Sequence, residues 1–332
     1  MFRKTIVLAT ALSGAMMHMP VSMAADELQD TTLYIGWRAE AEFGGFFQAL
    51  ATGLYEEHGL NVEIQLGNPQ SNPAQQLIAG KVDFAVGSSG TALNAAREEA
   101  PITAVAAMFQ KDPRIMVGHP NQGYQSLEDM VGRTAYVGAL GMATFWPYLR
   151  QEFGFSDEDV KPYAFSIAPF VADESAIQQG YATNEPHAVR MAGIEDPVSF
   201  LLHDYGYRPY AVNIMARQDD IANRPDFVQA FVNASIEGWQ EYLHGDASSG
   251  NALIKERNPD MEDEVLDFAL ETIREGGFVD AEDAAELGIG AMTDERWREY
   301  YDTMVSVGVL PDDVDLSRAY TLQFVNNGVG LQ

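Results

Sequence analysis

Strand and helix patterns alternate along this chain, and this alternation constrains its fold more than any other feature. Apolar and polar side chains alternate from Leu60 to Leu66, which predicts a strand with one buried face. Residues 44–57 carry apolar side chains at helical spacing, and Gly59 follows where a left-handed helix cap is expected. Further strands are predicted at 32–36 and 82–86. Strands that alternate with helices predict a doubly wound α/β unit.

A second α/β unit follows between residues 134 and 180. Its predicted elements are strands at 134–138 and 160–165 and helices at 143–153 and 173–179. The last helix rests on the likeness of Glu174–Gly180 to Gln75–Gly80, because each is a short amphipathic segment that ends in glycine. From Pro225 onward, long helices are predicted at 226–243, 262–275 and 294–307. Two α/β lobes in one chain form a cleft, which is a favoured place for a ligand.

Composition and charge exclude several classes of function. The 332 residues are 46% hydrophobic, which suits a globular chain of about two domains. The formal net charge of -29 repels nucleic acid and anionic membrane surfaces. Cysteine is absent from the sequence, which excludes disulfides, thiolate metal sites, cysteine nucleophiles and lipid anchors on cysteine.

The first residues of the chain resemble a secretory signal peptide at 1–24. Arg3 and Lys4 precede an apolar run from Thr5 to Ala15, and a small-x-small cleavage pattern ends at Ala24. The apolar run is too short to span a bilayer, which takes about 18 or more residues. We therefore expect a mature protein that is free in the periplasm.

Ligands of open α/β sheets bind beyond the carboxyl ends of the strands, near helix N-termini. This rule singles out four loops of the chain, at residues 36–45, 87–91, 138–144 and 180–186. They carry several aromatic and acidic side chains, no lysine, and Arg38 as their one arginine. A small anion usually requires a cation or several converging donors, so this content favours a neutral or protonated ligand.

The same loops resemble those of solute-binding proteins of ABC importers, in the NMT1/THI5-like branch that groups nitrate, sulfonate, taurine and thiamine-pyrimidine binders. The matching segments are Trp37, Gly45–Ala49, Gly53–Leu60, Ala79–Ala85, Leu127–Gly132 and Tyr181-x-x-Asn184-Glu185-Pro186. Position 43 is Phe, where thiamine-pyrimidine relatives often carry His. With cysteine also absent, the iron chemistry of the fungal pyrimidine synthases of this superfamily is not expected.

This resemblance implies an α/β fold of the type II periplasmic binding protein class, with two doubly wound lobes and a helical C-terminal region. Two crossover strands, at 114–119 and 210–216, are expected to join the lobes. Lobe 1 would comprise residues 30–115 plus 216–332, and lobe 2 residues 120–210. A hinge motion between the lobes would bury the ligand.

The resemblance implies the substrate-binding component of an ABC transporter, with permease and ATPase subunits as partners. We expect a monomer that captures a small planar nitrogen heterocycle, first of all a thiamine-pyrimidine precursor. A receptor for taurine, alkanesulfonate or nitrate is the alternative within this class. A pyrimidine-modifying enzyme and the sensing subunit of a signalling system are alternatives from other classes. We expect no cofactor, no metal site and no catalytic residues, because neither zinc-type spacing nor a nucleophile elbow occurs.

Fifteen residues of these loops and of adjacent segments are candidates for ligand contact. They are Trp37, Glu40, Glu42, Phe43, Ser88, Ser89, Thr91, Gly141, Met142, Thr144, Trp146, Phe170, Tyr181, Asn184 and Glu185. The aromatic rings could stack on a planar ligand or pack in the core. Glu185 could pair with the amine and protonated ring nitrogen of an aminopyrimidine, or could be a solvated loop acid. The hydroxyl groups of Ser88 and Thr144 could bind ligand or cap helices.

Overall fold

The structure is a computed structural model that describes residue 1 and residues 28–68, 71–163 and 166–331. Apart from Met1, the predicted signal peptide at 1–24 lies outside the described residues, and so does the end of the strand predicted at 160–165. In the described part of the chain, no helix is long and apolar enough to cross a membrane. The signal peptide stays a prediction.

The strands of the described residues form two five-stranded sheets. They are β1 Gln29–Ile35, β2 Leu60–Leu66, β3 Phe84–Gly87, β4 Ile102–Phe109, β5 Arg114–Gly118, β6 Ala135–Val137, β7 Val160–Pro162, β8 Ile177–Tyr181, β9 Val198–Leu201 and β10 Ala211–Arg217. The first sheet has the order β2-β1-β3-β10-β4 and the second has the order β7-β6-β8-β5-β9. We call each sheet with its helices a lobe.

One antiparallel strand in each sheet comes directly from the other lobe. β1, β2 and β3 are parallel, whereas β10 runs antiparallel to β3 and β4 on its two sides. In the second sheet β6, β7 and β8 are parallel, and β5 runs antiparallel to β8 and β9. The segments predicted as crossovers therefore form strands, one inside each sheet, and the predicted two-lobe α/β fold is confirmed.

Helices cover the sheets and make up most of the C-terminal region. They are α1 Gly44–Thr52, α2 Leu54–Glu57, α3 Pro73–Ile78, α4 Ser89–Arg97, α5 Ala139–Ala143, α6 Phe145–Phe153, α7 Ala168–Val171, α8 Glu185–Met191, α9 Gln218–Asn223, α10 Pro225–His244, α11 Ser248–Arg257, α12 Asp263–Gly276, α13 Ala284–Leu287 and α14 Asp294–Ser306. The three long helices predicted after Pro225 correspond to α10, α12 and α14. The sequence patterns missed α11.

The helix predicted at 173–179 is wrong, and the internal likeness to Gln75–Gly80 fails with it. Ile177 and Gln178 are adjacent and fully buried in β8, which pairs with β5 on one side and β6 on the other. A strand that is covered on both faces buries consecutive side chains, whereas a surface helix buries one stripe. Seven residues are too few for periodicity to separate these two cases.

The helix predicted at 143–153 is interrupted near its start. α5 ends at Ala143 and α6 begins at Phe145, because Thr144 adopts φ -122° and ψ -83°. The helix that follows β6 is α5, which begins at Ala139, four residues earlier than predicted. The break lets Thr144 turn its hydroxyl toward β5, where it accepts a hydrogen bond.

Close helix packing in the first lobe requires glycine. α1 lies against α10, and the Cβ of any larger residue at Gly238 would overlap the Gly45 carbonyl oxygen and the Ala49 side chain. Gly45 in turn lies directly against the ring of Trp239, which is fully buried. This contact fixes α1 and therefore the loop before it, which carries the acidic residues of the first lobe.

We expect Gly238→Ala to lower the free energy of unfolding by about 1–3 kcal/mol, because an overlap with backbone atoms forces the helices apart. Gly90→Ala is the matched control, since its new Cβ would meet Tyr300 Oη only at 3.4 Å. That variant should be neutral or gain up to about 1 kcal/mol from helix propensity. Urea unfolding of both variants beside the wild type measures the difference. Equal stability of the two variants would contradict the packing argument.

Candidate functional site

The four predicted ligand loops follow four parallel strands and come from both lobes. Two of them follow β1 and β3 of the first sheet, and the other two follow β6 and β8 of the second sheet. The antiparallel strands contribute their first residues to this edge, because these residues lie beside the last residues of the neighbouring parallel strands. Arg114 at the start of β5 pairs with Tyr181 at the end of β8. The site is therefore built from loops and from strand starts.

Three carboxylates meet between the lobes. Glu40 and Glu42 lie before and within a short 3₁₀ helix at Ala41–Phe43, and both are buried. Glu185 begins α8 and is partly buried. The charges of Glu42 and Glu185 both act on the pKa of Glu40, so the three groups are close enough to interact. We call Glu40, Glu42 and Glu185 the carboxylate cluster.

Each member of the cluster is held by donors from nearby residues. Trp37 Nε1 donates to Glu40 Oε2 at 3.2 Å. The Tyr181 backbone N–H donates to Glu185 Oε2 at 2.6 Å, and Tyr163 Oη donates to Glu185 Oε1 at 3.4 Å. These bonds fix the orientation of the carboxylates. Each carboxylate has about four lone-pair positions, so capacity for ligand donors remains.

One member of the cluster joins the two lobes. The Thr183 hydroxyl, in the loop after β8, donates to Glu42 Oε1 in the loop after β1. Both side chains are buried, so water cannot replace this bond without entering the cleft. A buried acceptor that loses its donor costs about 1–3 kcal/mol, which makes this contact a structural part of the site.

Burial raises the pKa of every carboxylate in the cluster. Burial and the neighbouring Glu42 charge raise the pKa of Glu40 to about 8, against the opposing effects of Arg38 and the Trp37 N–H. Burial raises the pKa of Glu185 to about 7 even though the Tyr181 N–H favours the charged form. Burial likewise raises the pKa of Glu42. Near neutral pH the cluster can therefore accept hydrogen bonds as carboxylate and donate them as carboxylic acid.

The sequence reasoning missed a buried arginine and its partner at this edge. Arg114 lies at the start of β5, and its Nε is 3.7 Å from Asp112 Oδ1. Asp112 lies in the short connection from β4 to β5 and Arg114 is the first residue of β5, so both fall outside the four loops that were singled out from the sequence. Tyr163 and Thr183 were also missing from the candidate list. The signal that could have found Arg114 was the predicted crossover itself, since an antiparallel strand begins where its parallel neighbours end.

The structure places several candidates beside the cluster or in its loops. Trp37 and Tyr181 make the contacts described above, and Thr144 bonds to Arg114. Phe43 is partly buried against the core next to Glu42. Asn184 is the N-cap position of α8, directly before Glu185. Gly141 and Met142 belong to α5, where Gly141 is buried and Met142 partly buried.

Other candidates have structural partners that account for them. Trp146 is buried, packs on Phe155 and donates from Nε1 to Asp157 at 2.9 Å. Phe170 is buried against His119, with ring centroids 4.4 Å apart. The structure brings neither ring to the carboxylate cluster, because each packs in the interior of the second lobe.

The serine and threonine residues after β3 are tied to the backbone. Ser88 caps α4, and its Oγ accepts from the Thr91 backbone N–H at 3.3 Å. Ser89 Oγ accepts from the Tyr210 backbone N–H at 3.0 Å and is buried. Ser88 is therefore the N-cap of α4, and ligand contact by Ser88, Ser89 and Thr91 stays a prediction. Among the described residues, no group of three or more His, Cys, Asp or Glu side chains could hold a metal ion.

Two α/β lobes joined by crossing strands, with a polar site between them, define the class of periplasmic binding proteins. Solved structures agree with this fold. The aliphatic sulphonate binding protein SsuA of Escherichia coli superimposes with a TM-score of 0.64 at 13% identity, over 88% of this chain and 91% of that chain. The desulfurization enzyme DSZB superimposes with a TM-score of 0.58 at 13% identity, over 90% and 98%. At such identities the likeness shows the fold alone.

Within that class the chain belongs to the NMT1/THI5-like family, whose model matches residues 40–246. The riboflavin-binding protein RibY of Chloroflexus aurantiacus is 26% identical over 317 residues, which are 93% of this chain and 90% of the relative. The formylaminopyrimidine-binding protein of Halalkalibacterium halodurans is 21% identical over 261 residues, which are 74% of this chain and 78% of the relative. The family resemblance seen in the loops is thereby confirmed.

We expect Glu40→Gln to stabilise the ligand-free protein at alkaline pH but much less at acid pH. A raised pKa means that the native state binds this proton more tightly than the unfolded chain does. The contribution of Glu40 to the free energy of unfolding is therefore fully present below its ordinary pKa of 4.5 and is lost as the pH rises through about 8. Glutamine cannot ionise and keeps an oxygen for the Trp37 N–H.

The difference in unfolding free energy between Glu40→Gln and the wild type should grow by about 1–3 kcal/mol from pH 5 to pH 8.5. Urea unfolding at a series of pH values measures it. Glu57→Gln, an exposed position on α2, is the control and should follow the wild type. A difference that stays constant with pH would show that Glu40 is not the titrating group.

Proposed function

We propose that this protein is the substrate-binding component of an ABC importer in the periplasm. It would capture a small planar nitrogen heterocycle between its lobes and deliver it, as a monomer, to the permease and ATPase subunits. The observation that carries this proposal is the carboxylate cluster, to which both lobes contribute. Family membership and the two named relatives support a ligand-binding role, and both relatives are named for planar nitrogen heterocycles.

The cluster requires a ligand that is rich in hydrogen-bond donors. Glu40 and Glu42 are buried and Glu185 is partly buried, so their ionised forms lack water and are stabilised when a ligand supplies N–H or O–H groups. Aromatic side chains are present at the same loops: the Trp37 ring donates to Glu40, and the Tyr181 ring lies beside Arg114. A flat heterocycle with N–H groups at its edge satisfies both the carboxylates and the rings.

A thiamine-pyrimidine precursor is the first candidate for this heterocycle. An aminopyrimidine carries an exocyclic amine next to a ring nitrogen that can be protonated, and this pair matches the two oxygens of one carboxylate. Glu185 suits the role because Tyr181 and Tyr163 already orient it. The relative named for formylaminopyrimidine supports this candidate.

An isoalloxazine such as riboflavin is the second candidate, because the riboflavin-binding relative matches nearly the whole chain. Its ring N–H and its sugar-alcohol hydroxyls could donate hydrogen bonds to the carboxylate cluster. The larger ring system would require more space between the lobes than a pyrimidine does. The same chemistry, an N–H edge against carboxylates, applies to both candidates.

A taurine, alkanesulfonate or nitrate receptor fits the site less well. An anion would lie beside three acidic groups, and the buried Arg114 is already paired with Asp112. The similarity to SsuA concerns the fold, which is shared by proteins with different ligands. DSZB shows that this fold also occurs in an enzyme, so measurement of turnover belongs in the test of this proposal.

We expect an aminopyrimidine or riboflavin to stabilise the protein by about 2.7 kcal/mol at a concentration of 100 times Kd. Thermal unfolding of the protein without residues 1–24, with each heterocycle, taurine, an alkanesulfonate and nitrate, measures the stabilisation. Stabilisation by taurine or the alkanesulfonate without any effect of the heterocycles would overturn the proposal. Chemical conversion of a bound heterocycle would favour the enzyme alternative.

Glu185→Gln should weaken binding of the aminopyrimidine by about 10–100-fold, because a charge-assisted pair becomes a neutral one. Titration calorimetry at pH 7 measures the Kd, with Glu57→Gln as the surface control. Equal affinities of all three proteins would remove Glu185 from the ligand contacts. A loss confined to the pyrimidine, with riboflavin unaffected, would assign this residue to one ligand class.

A further inference from the structure

The start of β5 places a guanidinium at the edge of the second sheet where the ligand loops lie. Arg114 pairs in register with Tyr181, the last residue of the parallel strand β8. Its Nη1 donates to Thr144 Oγ1 at 3.2 Å, and its Nη2 donates to Tyr181 Oη at 3.1 Å. Tyr181 ends the parallel strand β8 and Thr144 follows α5 in the segment after β6, so Arg114 belongs to the wall of the site.

Asp112 neutralises this guanidinium. The two side chains form an ion pair at 3.7 Å and are only 7% and 11% exposed. Asp112 Oδ1 also accepts from the Arg114 backbone N–H at 2.9 Å. Because Asp112 offsets the charge of Arg114, the position offers strong donors with less attraction for an anion than an unpaired arginine would have. Arg114 therefore differs from an anion-binding arginine.

Two rings hold the guanidinium in a fixed place. Its central carbon lies 5.0 Å from the ring centroid of Phe145 and 5.4 Å from that of Tyr181. Such contacts immobilise the planar fork before a ligand arrives. Each terminal nitrogen carries two N–H groups, and Thr144 and Tyr181 take one from each. The guanidinium is thus held in place and has further N–H groups that can donate to a ligand.

We propose that Arg114 determines ligand specificity by donating to a carbonyl oxygen on the heterocycle, an inference that rests on the proposed function. The carboxylate cluster requires N–H donors, whereas Arg114 requires an acceptor. A ligand that satisfies both carries an N–H edge and a carbonyl group. The formyl group of a formylaminopyrimidine and the ring carbonyls of an isoalloxazine share this chemistry. A site with a buried donor rejects analogues that cannot bond to it.

The test compares two variants that share the same neutral residue at position 112. Asp112→Asn retains the arginine, and Asp112→Asn with Arg114→Met removes it without leaving a buried unpaired carboxylate. The probes are 4-amino-5-formylaminomethyl-2-methylpyrimidine, its carbonyl-free 5-propyl analogue, and riboflavin. Titration calorimetry gives the Kd of each probe for the wild type and both variants.

We expect the double variant to bind the formyl probe about 10–100-fold more weakly than Asp112→Asn does, and the propyl analogue within about threefold. An equal change for both pyrimidines would overturn the role of Arg114. If riboflavin is the probe that binds, the same loss on removal of the arginine is expected for it. Failure of both heterocycles to bind the wild type would instead overturn the proposed function.

Infrared spectroscopy of the wild type keeps the inference testable if the double variant does not fold. A ¹³C-labelled carbonyl that accepts from a guanidinium absorbs at a lower wavenumber than the same probe in water. We expect this lower wavenumber for the bound formyl probe or for bound riboflavin labelled at its ring carbonyls. A bound carbonyl that absorbs at a higher wavenumber than in water would show an apolar surrounding and would contradict the proposal.

Discussion

The two strands that cross between the lobes determine the rest of the structure. Each sheet contains one antiparallel strand, β5 or β10, that arrives directly from the other lobe and pairs on both sides. An antiparallel strand starts where its parallel neighbours end. The same geometry that joins the lobes therefore brings Asp112 and Arg114 to the ligand edge of the second sheet. Tyr210 reaches the corresponding edge of the first sheet in the same way, where it bonds to Ser89.

The charges of the cleft follow from this construction. Arg114, whose side chain is only 11% exposed, is neutralised by the neighbouring Asp112, so this guanidinium is not a counterion for the carboxylate cluster. Glu40 has the exposed Arg38 at 3.8 Å, which offsets part of its burial. Acidic groups in such surroundings shift their pKa upward and retain protons near neutral pH. Burying these acidic groups costs free energy, and a ligand rich in hydrogen-bond donors would offset that cost.

The sequence predicted the fold where long periodic segments or strict alternation were available. β2, α10, α12 and α14 match their patterns closely, and the acidic candidates of the first and fourth loops prove to be neighbours in space. The pattern misled at β8, because Ile177 and Gln178 are buried on opposite faces of a short central strand. It also could not separate aromatic residues of the core from those that lie beside the carboxylate cluster. In the sequence Trp146 and Phe170 look like Trp37, and only their packing in the structure separates these two buried rings from the ring beside Glu40.

The strand order also affects how the chain can fold. β3 and β4 are separated in the first sheet by β10, so they are not paired with each other. The strand that fills this gap ends at Arg217, and the first-lobe helices α10 to α14 lie beyond it. The first-synthesised lobe is consequently completed last, whereas the second lobe has all its strands by Leu201. A nascent chain of this topology keeps its N-terminal sheet open until β10, which ends at Arg217 of the 332 residues, has emerged.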